Sequence, residues 1–370
     1  MAFVTGMMLI DAPAAALNNS GRDENARIDT ATAVKFIAAG AGRIPYVSAQ
    51  AVRFWIRDCL AQRNDEWKAA PTYKENENLA YTAANPIEYW DDDLFGYMRA
   101  PTAATRGKRK EDPEYLKLTP LAEQKGRDGK AREANVTRIS PFRSGTLVGL
   151  GPVKIVEDWG TMARHNGDPV LHQHQFYRAT LQGLMSLDLS NAGTYFDGGR
   201  VGYRNLDEVR IKLAKERKLG EITVHGQPAF RLPIADRMRR VATLIKAIGE
   251  LEGGAKLTLH YTDVTPGLLI CAVLKAGNNP FARIVRPNAQ SDPEVIIDAL
   301  KEVLRVYKDQ ILSEVFVGWA KGYLDDQRKK VGELSKDDLS GVELRWGHPR
   351  EMMAQLAAEL SKEVNYSWYD

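Results

Sequence analysis

The stretch His172-Gln-His-Gln-Phe-Tyr-Arg-Ala-Thr-Leu-Gln-Gly-Leu-Met-Ser-Leu-Asp-Leu189 decides the fold, because it carries the clearest β-strand pattern of the chain. Successive side chains of a strand point to opposite faces, so a half-buried strand alternates apolar and polar residues. The apolar face, interrupted only by Gly183, consists of Tyr177, Ala179, Leu181, Met185, Leu187 and Leu189. The other face is mainly polar, and the pattern predicts a long strand over residues 172–189.

Two apolar runs on either side of this stretch predict two further buried strands. They are Phe3–Ile10, which leads into Asp11, and Leu268–Leu274. Each run is short and bounded by turn residues, as expected of buried strands. Weaker strands are predicted near Thr32–Ile37 and near 311–319.

Two amphipathic helices are predicted between these strands. Ser48 suits a helix N-cap, and apolar residues recur at helical spacing over 52–60. Pro233 suits the first turn of the second helix, whose apolar stripe runs over 234–248. The pair Gly253-Gly254 is predicted to end it. Two more helices are predicted near the end of the chain, at 293–306 and 350–363.

The strongest elements therefore follow the order strand, helix, strand, strand, helix, strand. That order is the ferredoxin-like βαββαβ arrangement, which RNA-recognition domains build around an antiparallel sheet. The segments between the first helix and the next strand, and before the second helix, are too long for simple connections. The sequence thus predicts an α+β fold, a modified RNA-recognition palm with large finger-like and thumb-like insertions.

Composition excludes several other classes of protein. Hydrophobic residues make up 44% and charged residues 27% of the 370 positions, which are ordinary values for a globular protein. Cys59 and Cys271 lie inside apolar runs, and two cysteines build neither a disulfide framework nor a cysteine metal site. No apolar stretch reaches the roughly 18 residues of a membrane span. We expect a soluble, cytoplasmic protein with no membrane association.

Positive charge is concentrated in two Gly-containing stretches, although the net charge is only +3. Between Arg99 and Arg138 there are eleven lysines and arginines against six acidic residues. Between Arg200 and Lys218 there are seven against three. Both stretches are poor in large aliphatic side chains. They are predicted to be exposed basic excursions, either solvated loops or positive arms around a polyanion.

Four segments in the first half of the chain follow one another in a recognisable order. They are Gly6–Asp11 leading to Ala16–Arg22, Pro45–Arg57, Ile139–Arg143, and His174–Arg178 running to Leu187-Asp188. In this order they resemble the DevR-type backbone subunits of type I CRISPR Cascade complexes, which bind CRISPR RNA and are members of the repeat-associated RNA-binding superfamily. The second half resembles that family mainly in its helix-then-strand layout.

The resemblance implies an organisation into palm, fingers and thumb. The palm would comprise residues 1–62, 136–190 and 232–370, the last of which includes the C-terminal helices. Residues 63–135 would be the finger-like insertion and residues 191–231 a thumb-like basic loop that reaches the neighbouring copy. The implied role is that of a non-catalytic subunit without a cofactor. It would polymerise along CRISPR RNA and present it for pairing with target DNA, together with other Cascade subunits.

A protein that holds guide RNA of any sequence must contact phosphates and sugars, because contacts to base edges would impose a sequence. Cationic side chains, a helix N-terminus and Gly/Asn/Ser loops supply such contacts. The predicted RNA-binding residues are Asn18, Asn19, Ser20, Gly21, Arg22, Lys35, Ser48, Gln50, Arg53, Arg143, Arg200 and Arg204. Arg22, Lys35 and Arg53 are the first choices for phosphate contacts, whereas Arg57 is expected to be structural.

Histidines and aspartates are the residues from which a metal site could be built instead. His172 and His174 would project from one side of a strand, with His165 nearby, but no carboxylate or cysteine completes a metal site at a familiar spacing. We therefore expect hydrogen-bonded structural histidines and no bound metal. The run Asp91–Asp93 is expected to be solvated.

Two alternative functions remain open from the sequence. Related backbone subunits in type III complexes cut target RNA with an aspartate near the guide, and Asp11, Asp23 or Asp29 could supply one, with the 23–29 loop the favoured source. A type III-like ribonuclease is therefore the first alternative. The second is an RNA-binding autoregulator, which the family label suggests, although no helix-turn-helix is visible.

Overall fold

A computed structural model of the chain describes residues 1–22, 31–40, 42–102, 106–125, 129, 131–198 and 204–370, with Arg22 and Lys108 described by their backbone alone. The strands are β1 (Phe3–Ala15), β2 (Asn19–Arg22), β3 (Thr32–Val34), β4 (Phe36–Ala39), β5 (Gly42–Val47), β6 (Thr72–Asn76), β7 (Leu79–Thr82), β8 (Tyr97–Arg99), β9 (Glu123–Lys125), β10 (Ala131–Glu133), β11 (Val136–Arg138), β12 (Phe142–Ser144), β13 (Leu147–Gly149), β14 (Val156–Met162), β15 (Val170–Asp188), β16 (Thr194–Phe196), β17 (Gly220–Val224), β18 (Gln227–Arg231), β19 (Leu268–Leu274), β20 (Val285–Pro287), β21 (Pro293–Val295), β22 (Val315–Trp319) and β23 (Leu344–Gly347). The α-helices are α1 (Ala49–Arg63), α2 (Trp90–Phe95), α3 (Arg106–Lys110), α4 (Pro113–Leu116), α5 (Glu208–Glu216), α6 (Ile234–Ile248), α7 (Ile297–Val306), α8 (Asp325–Gly332) and α9 (Pro349–Glu359). Two 3₁₀ helices cover Pro280–Arg283 and Glu363–Tyr369.

One large mixed sheet organises the molecule, and its strand order is β23-β22-β19-β1-β15-β13-β5-β4. Strand β1 lies at its centre and is antiparallel to both β15 and β19, so that Val4 is opposite Leu187 on one side and Val273 on the other. The three strands predicted from the strongest apolar patterns are therefore neighbours. The predicted α+β class is confirmed.

Both faces of this sheet are buried. On one face Met8 and Ile10 of β1 pack with α1, α6 and α9 in the larger core. On the other face Met7 and Leu9 pack with β19, β22 and helices α7 and α8. Burial of alternate residues on opposite faces explains why β1 and β19 are continuously apolar. It also means that α7 and α8 cover the sheet face that lies opposite α1 and α6.

The two predicted crossover helices are present, with one corrected boundary. Ser48 is the N-cap of α1, as predicted, and its hydroxyl accepts from the Ala51 N–H at 3.4 Å. Helix α6 ends at Ile248 with Gly249 as its C-cap, so Gly253-Gly254 does not terminate it. A Cβ atom on Gly253 would lie 2.3 Å from the indole of Trp55. Gly253 is therefore required for close approach to α1.

The insert between α1 and β11 is more ordered than its sequence suggests. Residues Trp90–Phe95 of this insert form helix α2. Asp91–Asp93 lie in its first turn and are 7%, 1% and 0% exposed, so the expectation that this run is solvated is wrong. Asp93 pairs with Arg138 and Arg240, whereas Asp91 and Asp92 accept hydrogen bonds from the backbone N–H groups of Ala70 and Asn85. Such partners reduce the cost of burying these carboxyl groups.

The segment 191–231 also corrects an expectation. It was expected to be a thumb-like basic loop, yet its described residues form the three-stranded sheet β16-β18-β17 with helix α5. Tyr195, Leu206 and Phe230 pack there in a small core that is completed by Ile87 of the insert. The missing apolar surface is thus supplied from a distant part of the chain.

The two basic stretches are only partly exposed, which corrects a further expectation. Arg99, Arg109, Arg138 and Arg210 are each 5% exposed or less. Arg210 pairs with Asp207 at 2.9 Å and also donates to backbone carbonyls of the insert, including that of Ala83. A guanidinium has five N–H donors, so it can satisfy several carbonyls of irregular loops at once. Within the described part of the chain, no helix is long and apolar enough to cross a membrane.

Candidate nucleic-acid interface

Three of the predicted RNA-binding residues meet at the start of helix α1. The side-chain oxygen of Asn18 accepts a hydrogen bond from the Ser48 N–H at 3.0 Å. The backbone carbonyl of Asn18 accepts from the Lys35 N–H at 2.9 Å, and the Lys35 carbonyl accepts from Tyr46 at 3.1 Å. The loop after β1, the connection between β3 and β4, and the helix start are thereby held together. We call Asn18, Lys35, Ser48 and Gln50 the α1 site.

The electrostatics of the α1 site favour an anion. Helix α1 is 15 residues long, and its first turn contains no acidic residue. Its N-terminus therefore carries the positive end of a helix dipole with no carboxylate of its own to neutralise it. Gln50 is exposed in that first turn. No hydrogen bond or ion pair joins the Lys35 ammonium group to another described residue, so its charge is available to a ligand.

Next to this site, the strand β2 brings small polar residues to the surface. It pairs with β3, and the Ser20 hydroxyl donates to the Ala33 carbonyl at 3.3 Å. Gly21 has φ +95° at a register shift of the pair, in the left-handed region that favours glycine. An added Cβ atom there would meet no atom of the described residues within 4 Å, so those residues leave the backbone open to close approach. Asn19 and Arg22 belong to the same strand.

Arg53 and Arg57 lie further along α1 and are engaged with the protein. The Arg53 guanidinium donates to the Phe142 carbonyl at 2.8 Å and to the Phe95 carbonyl, and it lies over the Phe95 ring. Burial, together with the neighbouring Arg57, lowers the pKa of Arg53 to about 10, which leaves it cationic at neutral pH. Arg57 lies 4.4 Å from the centroid of the same ring, and burial lowers its pKa. A phosphate contact by Arg53 stays a prediction and would have to share its donors with these carbonyls.

The remaining predicted cations are spread over the surface. Arg143 is exposed on β12, next to Phe142, whose carbonyl binds Arg53. Arg204 is exposed and donates to Gln124 of the insert at 3.3 Å, so its described contacts are away from α1. Arg200 lies outside the described residues.

Arg43 is a candidate that reasoning from the sequence missed. It is exposed on β5, and its guanidinium lies 4.6 Å from the centroid of the Phe36 ring on the paired strand β4. Lys35 immediately precedes β4, so both cations belong to the same end of the sheet. The signal available in the sequence was a lone arginine in a short strand, which by itself does not distinguish a ligand contact from a solvated side chain.

The whole chain shares its fold with a chain from a CRISPR RNA-guided surveillance complex. A solved structure described as such a complex in a pre-nicking state matches at a TM-score of 0.50 and 10% sequence identity, covering 96% of this chain and 99% of that one. A second structure of a CRISPR RNA-guided surveillance complex covers the same shares at a TM-score of 0.47 and 10% identity. No model of a known protein family matches the sequence. No curated protein matches it either.

The histidines form an aromatic cluster at the base of the β14–β15 hairpin. As predicted, His172 and His174 share one side of their strand, with ring centroids 6.2 Å apart. His174 packs against His260 at 4.8 Å and lies 3.3 Å from the Asp158 carboxylate. Burial lowers the pKa of both His174 and His260. His165 is exposed elsewhere, and among the described residues no group of three histidines, cysteines or carboxylates could hold a metal ion.

Among the aspartates considered for RNA cleavage, only Asp11 is described. It lines a cleft of about 420 Å³ together with Arg178, Asp292 and Tyr323, next to residues that lead into α8. Burial raises its pKa, Arg178 opposes that effect, and Asp292 adds to it. Asp11 shares the sheet face of Met7 and Leu9, so it belongs to the side covered by α7 and α8. Asp23 and Asp29 lie outside the described residues.

Proposed function

We propose that this chain is a non-catalytic subunit of a type I CRISPR Cascade complex, of the DevR type, which polymerises along CRISPR RNA. The observation that carries the proposal is the α1 site, on a fold that matches a chain of a CRISPR RNA-guided surveillance complex over nearly the full length of both. In this role several copies hold the guide by its phosphates and leave its bases free to pair with target DNA, alongside other Cascade subunits.

The order of the central strands supports an RNA-recognition palm. In the sheet order, β19, β1, β15 and β13 are consecutive and antiparallel to their neighbours. Along the chain the order is β1, α1, β13, β15, α6, β19, which is the βαββαβ order of a ferredoxin-like fold. The residues 63–135 and 191–231 are then insertions into that palm, in the positions proposed for fingers and thumb.

The covered sheet face supports recognition of the phosphate backbone. RNA-recognition domains commonly stack bases on exposed aromatic side chains of the sheet. Here the face opposite α1 and α6 is occupied by α7 and α8, which pack their Leu300, Leu304 and Val331 against it. RNA is therefore proposed to bind at the edge of the sheet, where Asn18, Lys35 and the start of α1 present amide donors and charge. Contacts of that kind do not depend on base sequence.

Contact between successive copies is proposed for residues 191–231, with help from the β14–β15 hairpin. Lys212, Lys215 and Lys218 are exposed on the first segment. Trp159 and Leu171, which are 50% and 53% exposed, give the hairpin an apolar surface of the kind found at protein interfaces. Head-to-tail contact of this type is heterologous and produces an open filament, whose length the guide RNA would set.

Binding of the purified protein to two RNAs of unrelated sequence tests the role of the α1 site. Lys35→Ala should weaken binding to both RNAs about equally, because a phosphate contact does not depend on base sequence. It should also reduce the log–log salt slope by about 0.7, the contribution of one phosphate contact on a single strand. Lys336→Ala, which removes an exposed lysine on the α7–α8 side, is the matched control. Loss of binding to only one of the two RNAs would contradict the proposal.

The complex purified from cells provides the second arm of this test. Sequencing of the bound RNA should return repeat-derived guides rather than mixed cellular RNA. Incubating the same complex with labelled complementary RNA and magnesium should leave that RNA intact. Cuts at regular spacing that vanish in Asp23→Ala or Asp29→Ala would replace this proposal with the ribonuclease alternative.

A further inference from the structure

A basic cavity lies at the end of the main sheet opposite the α1 site. It is an open cleft of about 490 Å³ between helix α8 and strand β23, and it is lined by Lys321, Asp325, Arg328, Lys329, Gly332 and Trp346. In the strand order, β23 and β5 are six strand spacings apart. At about 4.8 Å per spacing, roughly 30 Å along the sheet separate this cavity from the α1 site. It is therefore a separate place on the molecule.

Arg328 is not satisfied by the protein. Its Nε atom is buried without a hydrogen-bond partner, and no hydrogen bond or ion pair joins its guanidinium to any other described residue. This contrasts with Arg138, Arg210 and Arg240, whose guanidiniums are each held by carboxylates and backbone carbonyls. A half-buried guanidinium that is not bonded to a carboxylate is costly, and an anionic ligand would relieve that cost.

The other charges around the cavity leave a positive balance. Lys321 is exposed and has no partner among the described residues. The ammonium of Lys329 lies 3.9 Å from Glu333, at the long limit of an ion pair. The carboxylate of Asp325 already accepts the Gly322 N–H at 3.0 and 3.1 Å. Three cations thus face the Asp325 carboxylate, which is engaged with the backbone, and the more distant Glu333 carboxylate, which leaves a net positive charge.

Trp346 adds a flat aromatic wall that is held in place. Its ring is nearly parallel to that of Trp319, with centroids 6.3 Å apart and planes inclined by 19°. Trp319 is itself fixed, because its indole N–H donates to the Tyr323 carbonyl at 2.7 Å. Proteins that bind single strands without reading sequence combine such an aromatic platform with cations that follow the phosphates.

We propose that this cavity is a second nucleic-acid site, which binds a nucleotide unit with its base stacked on Trp346 and its phosphate held by Arg328, Lys321 and Lys329. The site does not depend on the guide-RNA proposal, since it rests on residues at the opposite end of the sheet. A passing single strand and a free nucleotide would offer the same chemistry.

Photo-cross-linking of the full-length protein tests this site directly. The probe is a ten-nucleotide oligothymidylate carrying 4-thiothymidine, and mass spectrometry identifies the linked peptide. We expect a cross-link on the tryptic peptide 346–350, which contains Trp346. Trp346→Leu and Arg328→Gln should each lower cross-linking at residues 321–350 about tenfold, the order of effect that loss of one stacked base or one phosphate contact produces. Trp346→Phe should retain most of it, whereas Lys336→Ala should have no effect.

Two competitors distinguish the source of the nucleotide. Competition by micromolar adenosine monophosphate points to a free nucleotide, and competition only by unlabelled oligothymidylate points to a strand. An oligomer of abasic sites should compete poorly if the base is stacked. The proposal is overturned if residues 321–350 are not cross-linked. It is also overturned if Trp346→Leu and Arg328→Gln, shown to be folded by circular dichroism, behave like Lys336→Ala.

Discussion

The buried carboxylate of Asp93 joins three parts of the chain, and neutralising it should be among the most damaging single changes. Its Oδ1 accepts from Arg138 at 2.6 Å and from the Gly193 N–H at 3.1 Å. Its Oδ2 accepts from Arg240 at 2.8 Å and from the Tyr195 hydroxyl at 3.2 Å. The Asp93 side chain is 0% exposed, and those of its two arginine partners are 2% and 5% exposed.

Asp93→Asn keeps the shape of the side chain but removes the charge that two buried guanidiniums share. It also turns one acceptor into a donor that faces other donors. Backbone carbonyls near both arginines, such as those of Thr194 and Pro86, compensate only in part. Breaking a buried ion pair by removing one partner typically costs 3–5 kcal/mol. We therefore expect the free energy of unfolding to fall by about 3–5 kcal/mol.

Urea unfolding followed by circular dichroism measures this loss, and Glu114→Gln provides the matched control. Glu114 pairs with Lys117 on the surface, where both side chains are more than 60% exposed. Exposed pairs contribute about 1 kcal/mol or less. Hydrogen exchange should show the Asp93→Asn loss most strongly in residues 84–99 and 191–196, which the carboxylate ties together. If the urea midpoint falls no further than in Glu114→Gln at equal slope, the carboxylate does not hold these parts together.

Two further predictions concern other buried positions, Asp92 in α2 and Gly6 in β1. Burial and the neighbouring Asp91 raise the pKa of Asp92 to about 7, so the folded protein binds this proton more tightly than the unfolded chain does. Stability should therefore fall as pH rises from about 4 to about 7. In Asp92→Asn the free energy of unfolding should depend less on pH over this range, and at pH 8 the variant should be at least as stable as the natural protein. An unchanged dependence of the unfolding free energy on pH would contradict this. Gly6→Ala would place a Cβ atom 2.6 Å from the Cβ of Cys271 on the adjacent strand, and it should lower the free energy of unfolding by about 1–3 kcal/mol. Gly107→Ala is the control, because no atom of the described residues lies within 4 Å of its added Cβ atom, and it should not lower the free energy of unfolding.

The sequence alone determined the elements whose signal is local. Alternation over 172–189 predicted β15, two apolar runs predicted β1 and β19, and helical spacing after Ser48 predicted α1 with its cap. These predictions succeed because side-chain direction within a strand or helix depends only on backbone geometry. Asn18 and Ser48 were both predicted to bind RNA, and the structure joins them by a hydrogen bond.

Only the tertiary structure decided which charged side chains are buried and which groups they pair with. The sequence favoured solvent exposure for several charged residues that the structure buries, namely Asp91–Asp93, Arg99 and Arg210. Asp93 meets Arg240 across 147 positions of the chain, and the core of 191–231 is completed by Ile87. A charge is buried where distant groups supply its partners, and no local pattern records where those groups will be. For the same reason the sequence does not distinguish Arg53 from Arg328. In the structure Arg53 donates to backbone carbonyls, whereas Arg328 lies beside an open cavity.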